Sequence, residues 1–115
     1  VLLATAILIF GAGSAYGGET LASGSEISKA ISGNTVQGTM VDSSSYTEFY
    51  ATDGTIKGDG YSGVWRIRGN TMCFDYGEDP EACWHVSIDG DQVFWIKGGL
   101  ADGYGTIVSG NPNNF

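Results

Sequence analysis

Two patterns of apolar residues follow one another along the chain: a short helical repeat and then a long alternating one. Ser23 precedes Glu26 by three positions, which is the spacing of a helix capping box. Ile27 and Ile31 then fall on one helical face, and Gly33 stands where a helix commonly ends in a left-handed residue. We predict a helix of about two turns, which is stable only if its isoleucines pack against other elements.

From residue 34 onwards, apolar and polar residues alternate with a period of two, as in strands with one buried face. In "YSGVWRIRG", Trp65 and Ile67 share one face while Arg66 and Arg68 share the other. Asp-Gly pairs at positions 53–54, 89–90 and 102–103 predict tight turns. We therefore predict a mainly β domain: an antiparallel meander of about seven or eight short strands, curled into a barrel or sandwich, with the helix over one opening.

The same alternation predicts which side chains form the core. Phe94 and Trp95 are adjacent, so they point to opposite faces of their strand and only one of them can join the core. Tyr46 and Tyr50 share the face opposite Phe49. The predicted core consists of Phe49, Trp65, Ile67, Val86, Ile88 and either Phe94 or Trp95.

Composition and charge narrow the class of protein. The chain has 115 residues, enough for one domain, and a net charge of −8 from thirteen acidic and five basic residues. A negative net charge repels the phosphate backbones of nucleic acids, which argues against nucleic-acid binding. The dispersed acidic residues are typical of a solvated surface.

Residues 1–17, "VLLATAILIFGAGSAYG", have a different composition from the rest of the chain. An apolar run is followed by small residues, as in a signal peptide. We expect cleavage before Gly18, a mature domain over residues 18–115, and a periplasmic or secreted location. A retained membrane anchor is the alternative. Since neither an initiator methionine nor a basic leader precedes the run, we also expect the sequence to be truncated at its start.

The stretch "MCFDYGEDPEACWHV" holds both cysteines, the single histidine and the densest carboxylates. Zinc and redox sites need closely spaced cysteine pairs, which are missing, and the loop lacks the ligand spacing of a calcium-binding EF-hand. If the flanking segments are paired strands, Cys73 and Cys83 lie opposite each other. We predict a disulfide between them, as is usual outside the cytoplasm, and expect neither metal nor cofactor.

A hydrolytic site is the alternative interpretation of the polar residues. It would use His85 or a pair of carboxylates such as Glu48 and Asp75, which would have to face each other across a cleft. No nucleophile motif accompanies His85, so we expect it to lie on the surface.

Several short motifs resemble a family of small exported bacterial proteins that has no assigned function. The motifs are Asp53-Gly54-Thr55, Gly63-Val64-Trp65-Arg66, Cys73-Phe74, Cys83-Trp84, Gly105-Thr106-Ile107-Val108 and Gly110-Asn111-Pro112. The Gly63-x-Trp65 strand also resembles that of lipocalin-like barrels, in which such a tryptophan closes the base. Neither resemblance implies a catalytic residue.

The leading functional hypothesis is a non-catalytic exported module that binds a small apolar ligand or a protein partner. Strand alternation puts aromatic residues on both faces of the sheet, and one short helix can cover only part of them. We expect surplus aromatic surface that binds a small apolar or mildly anionic molecule, formed by Tyr46, Tyr50, Tyr61 and Trp95 and bordered by Arg66 and Arg68. A small hydrolase is the first alternative. An accessory subunit of a membrane complex is the second, if residues 1–17 are retained.

Overall fold

The computed structural model describes residues 20–115. They form one helix, α1 (Gly24–Ile31), and eight antiparallel strands in a closed barrel. The strands are β1 (Asn34–Met40), β2 (Ser45–Tyr50), β3 (Thr55–Gly58), β4 (Tyr61–Arg68), β5 (Thr71–Asp75), β6 (Ala82–Asp89), β7 (Gln92–Lys97) and β8 (Leu100–Val108). Each strand pairs with the next along the chain, and β8 pairs with β1. The predicted β meander is confirmed, and of the two predicted shapes it takes the barrel.

Helix α1 begins and ends as the sequence predicts. The Ser23 hydroxyl accepts from the Glu26 N–H at 3.1 Å, and the Glu26 carboxylate accepts from the Ser23 N–H at 2.8 Å. Ile27 and Ile31 are fully buried, and Gly33 follows the helix with a φ of 80°. The helix packs against β1, β4 and β5, so its apolar face covers one end of the barrel.

The two ends of the barrel therefore differ. The closed end carries α1 and the turns at residues 51–54, 69–70 and 90–91. Trp65 lies near this end, because its Nε1 donates to the Ala51 carbonyl at 2.9 Å. The open end carries the connections at residues 41–44, 59–60, 76–81 and 98–99.

The core is close to the predicted one, except in β2. Trp65 and Val86 are buried, and Ile67 and Ile88 are half-buried against them. Of the adjacent aromatic pair in β7, Trp95 points inward and is 3 % exposed, while Phe94 is half-buried on the outer face.

The prediction that Phe49 lies in the core is wrong. In β2 the buried residues are Glu48 and Tyr50, at 6 % and 1 % exposure, while Phe49 is half-buried on the outer face. The register places Glu48 opposite Val36, whose side chain is fully buried. Alternation shows which residues share a face but not which face is inside. The prediction from hydrophobicity put Phe49 inside. The inner face instead carries Tyr50 and Glu48, whose burial is tolerated because they hydrogen-bond to each other.

The predicted turn at 102–103 is also wrong, since both residues lie inside β8. The turn precedes them at Gly98 and Gly99, which have φ values of 60° and 80°. Gly103 is required by close packing instead: a Cβ there would lie 2.4 Å from Sδ of Met40. The other two predicted turns are confirmed, at 53–54 and 89–90.

The predicted disulfide is confirmed. Cys73 in β5 lies directly opposite Cys83 in β6, with 4.0 Å between the Cα atoms, and the two sulfurs are bonded. Both side chains are on the outer face of the barrel, because their neighbours Phe74 and Trp84 point inward. The bond ties together the strands that flank the 76–81 loop at the open end.

The predicted signal peptide, its cleavage before Gly18 and the alternative of a retained anchor all fall outside the described residues. Within residues 20–115, no helix combines the length and the apolar character that crossing a bilayer requires.

Candidate ligand-binding site

A cavity of about 180 Å³ lies inside the barrel, towards the open end. It is bounded by six aromatic side chains, one thioether and one carboxylate. These residues are Met40, Tyr46, Glu48, Tyr50, Phe74, Tyr76, Trp84 and Trp95. The lining comes from β1, β2, β6 and β7 and from the end of β5, so the closed sheet rather than a mobile loop fixes its shape.

Glu48 is the single carboxylate of this lining, and three tyrosine hydroxyls donate to it. Tyr50 donates to Oε1 at 2.7 Å, and Tyr61 donates to Oε2 at 2.6 Å. The Tyr76 hydroxyl lies 2.9 Å from both oxygens. An ionised carboxylate has about four acceptor positions and no donor, so the three hydroxyls satisfy it without adding any positive charge.

Strand geometry brings these four residues together. Glu48 and Tyr50 are two positions apart in β2 and therefore share the inner face. Tyr61 begins β4, and Tyr76 directly follows β5, so both lie at the open end. Their rings are 6.1 Å apart between centroids, which places two hydroxyls over one carboxylate.

Glycines on the inner face leave room for the tyrosine rings. A Cβ on Gly63 would lie 2.9 Å from Cδ1 of Tyr76. A Cβ on Gly38 or on Gly105 would lie 2.6 Å from the Tyr46 hydroxyl. Real Cβ atoms do not approach other atoms so closely. The tyrosine rings can therefore take these positions only because the facing residues are glycines.

Tyr46 and Trp95 form a second polar pair in the wall of the cavity. The Trp95 indole N–H donates to the Tyr46 hydroxyl at 2.7 Å, and that hydroxyl donates to the Tyr104 carbonyl at 3.0 Å. Each buried polar atom of the two side chains therefore has a partner, which is how amphipathic aromatics tolerate burial.

The tyrosines hold their protons far above neutral pH. Burial raises the pKa of Tyr46 to about 12, against a lowering effect of the Trp95 hydrogen bond. Burial, and then the charge of the Glu48 carboxylate, raise the pKa of Tyr50 and of Tyr76. Burial and the hydrogen bond to Glu48 raise the pKa of Tyr61. The hydroxyls around Glu48 therefore act as donors throughout the physiological range.

Phe74 organises the apolar part of the lining. Its ring meets those of Tyr50, Trp84 and Trp95 edge to face, with centroids 6.0, 5.4 and 5.5 Å away. It stacks against Tyr76 with a centroid separation of 6.5 Å. Such pairs are favourable beyond their area of contact, so the aromatic rings hold one another in place around the cavity.

Two charged side chains, those of Asp102 and Lys97, contact Trp84 in the cavity wall. The indole N–H of Trp84 donates to Oδ2 of Asp102 at 2.9 Å. Nζ of Lys97 lies 4.2 Å from the centroid of the Trp84 ring and donates to the Cys83 carbonyl at 3.1 Å. A cation–π contact is thus already made by one residue of the cavity wall.

The structure brings four of the six predicted ligand-site residues together and excludes the other two. Tyr46, Tyr50 and Trp95 line the cavity, and Tyr61 donates to its carboxylate. They lie on the inner face of the barrel, so the surplus aromatic surface lines a cavity.

Arg66 and Arg68 lie on the outer face of β4, opposite the inward Trp65, and both bind Glu81. Arg68 Nε is 2.7 Å from Glu81 Oε1, and its hydrogen bond is the main reason that the pKa of Glu81 is lowered. The arginines therefore do not border the cavity, and the expectation of a mildly anionic ligand loses its basis.

The residues of the hydrolase hypothesis do not form a group. Glu48 is inside the barrel, whereas Asp75 lies on the outer face, opposite the exposed Val64 of β4. His85 is exposed on the outer face, as expected. Alternation along the strands keeps these side chains on opposite sides of the sheet.

One group of possible metal ligands exists among residues 20–115: Cys73, Glu81 and Cys83. Both cysteines are consumed by their disulfide, and Glu81 is held by two arginines. In the oxidised protein this group has no thiolate to offer a metal.

On sequence alone, Glu48 was a candidate for a hydrolytic site but was not assigned to the ligand site. The pattern Tyr-x-Glu-x-Tyr was the available signal, because period-two spacing puts a carboxylate between two phenols. Met40, Phe74, Tyr76 and Trp84 were also missed as lining residues.

No protein-family model matches this chain. Searches of curated proteins and of solved structures also give no match. The resemblances seen in the short motifs remain expectations. Any functional role therefore has to rest on the cavity itself.

Proposed function

We propose that the domain is a non-catalytic binding module, exported to the periplasm or secreted, that holds a small and largely apolar ligand inside its barrel. The observation that carries this proposal is the concave aromatic cavity inside the barrel, with the carboxylate of Glu48 and its tyrosine donors in the wall. Ligand sites are typically apolar concavities with few polar groups that orient the ligand.

The volume of the cavity limits the part of the ligand that lies inside the barrel. An apolar cavity of about 150 Å³ binds benzene, whereas sites for drug-sized molecules measure about 300–1,000 Å³. At about 180 Å³, the barrel holds one ring or a compact branched group. The rest of a longer molecule would extend out of the open end.

The disulfide supports an oxidising compartment, since such bonds persist outside the cytoplasm. Export by a cleaved signal peptide remains a proposal. So does the alternative of an accessory subunit in a membrane complex, which requires that residues 1–17 stay attached.

Two other roles have less support. A hydrolase is disfavoured because Asp75 and His85 lie on the opposite side of the sheet from Glu48. A protein partner would have exposed side chains available near the open end, Val41, Leu100 and the outer parts of Tyr61 and Tyr76, but the structure shows nothing seated on them.

The test is direct binding of small probes to the folded protein. One-ring aromatic and compact aliphatic probes, neutral and charged, are titrated while tryptophan fluorescence is followed, because two of the three tryptophans line the cavity. We expect wild type and Arg66→Ala to bind the same probes with equal affinity, and Trp95→Ala to bind them more weakly. Circular dichroism checks that each variant is folded. If wild type binds no probe, or if both folded variants match it, the cavity is not a binding site.

A further inference from the structure

We propose that the ligand carries a quaternary, fully methylated ammonium group, which sits against Glu48 within the aromatic cavity. This inference rests on the proposed binding function and adds the chemical class of the ligand. Four observations carry it: the charge of Glu48, the three tyrosine hydroxyls that donate to it, the aromatic wall and the acidic mouth.

Among residues 20–115, Glu48 has no cationic partner. In the part of the chain that the structure describes, the ion pairs are those of Glu81 with Arg66 and Arg68. The three tyrosines around Glu48 are neutral donors. A buried charge that is not paired is costly, and a cation that entered the cavity would interact with it under weak screening.

Three hydroxyl protons already occupy most of the acceptor positions of Glu48. Tyr50 donates to Oε1 and Tyr61 to Oε2, while the single proton of the Tyr76 hydroxyl lies between the two oxygens. A primary ammonium group has three N–H donors, more than the remaining acceptor position can satisfy. A quaternary ammonium group has no N–H and needs no acceptor, so it can use the charge of Glu48 without breaking this network.

The wall around Glu48 suits such a group. Methylated ammonium groups are recognised by aromatic cages, through the negative faces of the rings and through contact with the methyl groups. Tyr46, Tyr76, Trp84 and Trp95 stand on the sides of this cavity, and the Lys97 ammonium already lies over the Trp84 ring.

The approach to the cavity favours cations as well. Four acidic residues in the connections at the open end form no ion pair among residues 20–115: Asp42, Asp59, Glu78 and Asp79. A fifth, Glu81, is paired with two arginines. The whole chain carries a net charge of −8. Fields of this sign concentrate cations near the mouth and repel anions.

The test compares charged and neutral probes of the same shape. Binding of tetramethylammonium and choline is measured by calorimetry or NMR, beside 3,3-dimethyl-1-butanol, in which carbon replaces the nitrogen of choline. We expect choline to bind at least about tenfold more tightly than this alcohol, from cation–π contact and the charge of Glu48 together. This comparison needs no variant.

Two matched variants assign the effect to Glu48. Glu48→Gln keeps the shape and removes the charge inside the cavity, whereas Glu78→Gln removes one charge from the exposed 76–81 loop. We expect Glu48→Gln to lose the preference for choline and Glu78→Gln to retain it.

The outcomes separate the two proposals. If the alcohol binds as well as choline, or if Glu48→Gln retains the preference, the cationic ligand is wrong while the binding module stands. If neither cations nor neutral probes bind, both proposals fail.

Discussion

The hydroxyl group of Tyr50 donates to Oε1 of Glu48 at 2.7 Å, although the two residues are only two positions apart in one strand. Both side chains point into the barrel, at 1 % and 6 % exposure. A single strand therefore carries a buried acceptor and its donor, and Tyr61 and Tyr76 complete the network from β4 and from the end of β5. The pairing and closure of the strands therefore determine the position of this carboxylate and of its three donors.

Removing one hydroxyl donor to Glu48 should lower the free energy of unfolding by a measurable amount. Tyr50→Phe deletes a buried hydrogen bond to a charged group, which costs about 1.5–3 kcal/mol of unfolding free energy. Tyr104→Phe, at a position that is 55 % exposed, is the matched control and should change stability by less than about 0.5 kcal/mol. Urea unfolding measures both. Equal stabilities for the two variants would show that the hydroxyl of Tyr50 does not contribute.

The raised tyrosine pKa values predict loss of stability at alkaline pH. An unfolded tyrosine loses its proton near pH 10, whereas the pKa of folded Tyr46 is about 12 and that of Tyr50 is also raised. The folded state therefore binds more protons above pH 10, and its stability is complete below that pH and falls as the pH rises. The slope for a buried tyrosine such as Tyr50 approaches about 1.4 kcal/mol per pH unit.

Phenolate absorbance and circular dichroism, recorded together against pH, check this prediction. We expect the buried tyrosines to ionise only as the protein unfolds. Their full ionisation in a protein that keeps its folded spectrum would contradict it.

The disulfide should stabilise the barrel without any metal. Closing the loop between Cys73 and Cys83 is worth roughly 2–3 kcal/mol by the chain-entropy model, so reduction should lower the melting temperature and should release no zinc. Intact mass should be two hydrogens below that of the reduced chain. Two free thiols in protein isolated from its native compartment would refute the bond.

Two inner-face glycines should respond differently to an added methyl group. In Gly103→Ala, the new Cβ meets the flexible Met40 thioether at 2.4 Å. In Gly38→Ala, it meets the Tyr104 backbone oxygen at 2.0 Å, and backbone cannot move aside as easily. Overpacking costs about 1–3 kcal/mol, and we expect Gly38→Ala to be the less stable variant.

Gly103→Ala also tests the cavity, because Met40 is part of its lining. We expect folded Gly103→Ala to bind small probes more weakly than wild type. Unchanged affinity would mean that the probes bind elsewhere.

The fold could be predicted from the sequence because its signals are local. The capping box at Ser23 and Glu26 fixed the start of α1, and the spacing of the cysteines anticipated the pairing of β5 with β6. The orientation of β2 could not be predicted. Which of its faces is inside depends on Tyr61 and Tyr76, which lie 13 and 28 residues after Glu48 and make its burial acceptable.

The candidate site was only partly predictable for the same reason. Tyr46, Tyr50, Tyr61 and Trp95 were identified because they are aromatic residues on strands. Arg66 was grouped with them although its alternation with Trp65 puts it on the outer face. Closure of the barrel decides this difference, since a closed sheet turns one aromatic face into the lining of an interior cavity.

The central claim, that ligands enter the barrel at its open end, is tested most directly by the three tryptophan indole N–H signals in a nitrogen–proton NMR titration with a small probe such as choline. Trp84 and Trp95 line the cavity, whereas Trp65 donates to Ala51 near the closed end. The account predicts that the signals of Trp84 and Trp95 shift together and saturate, while that of Trp65 moves little. A uniform response of all three signals, or none at all, would contradict it.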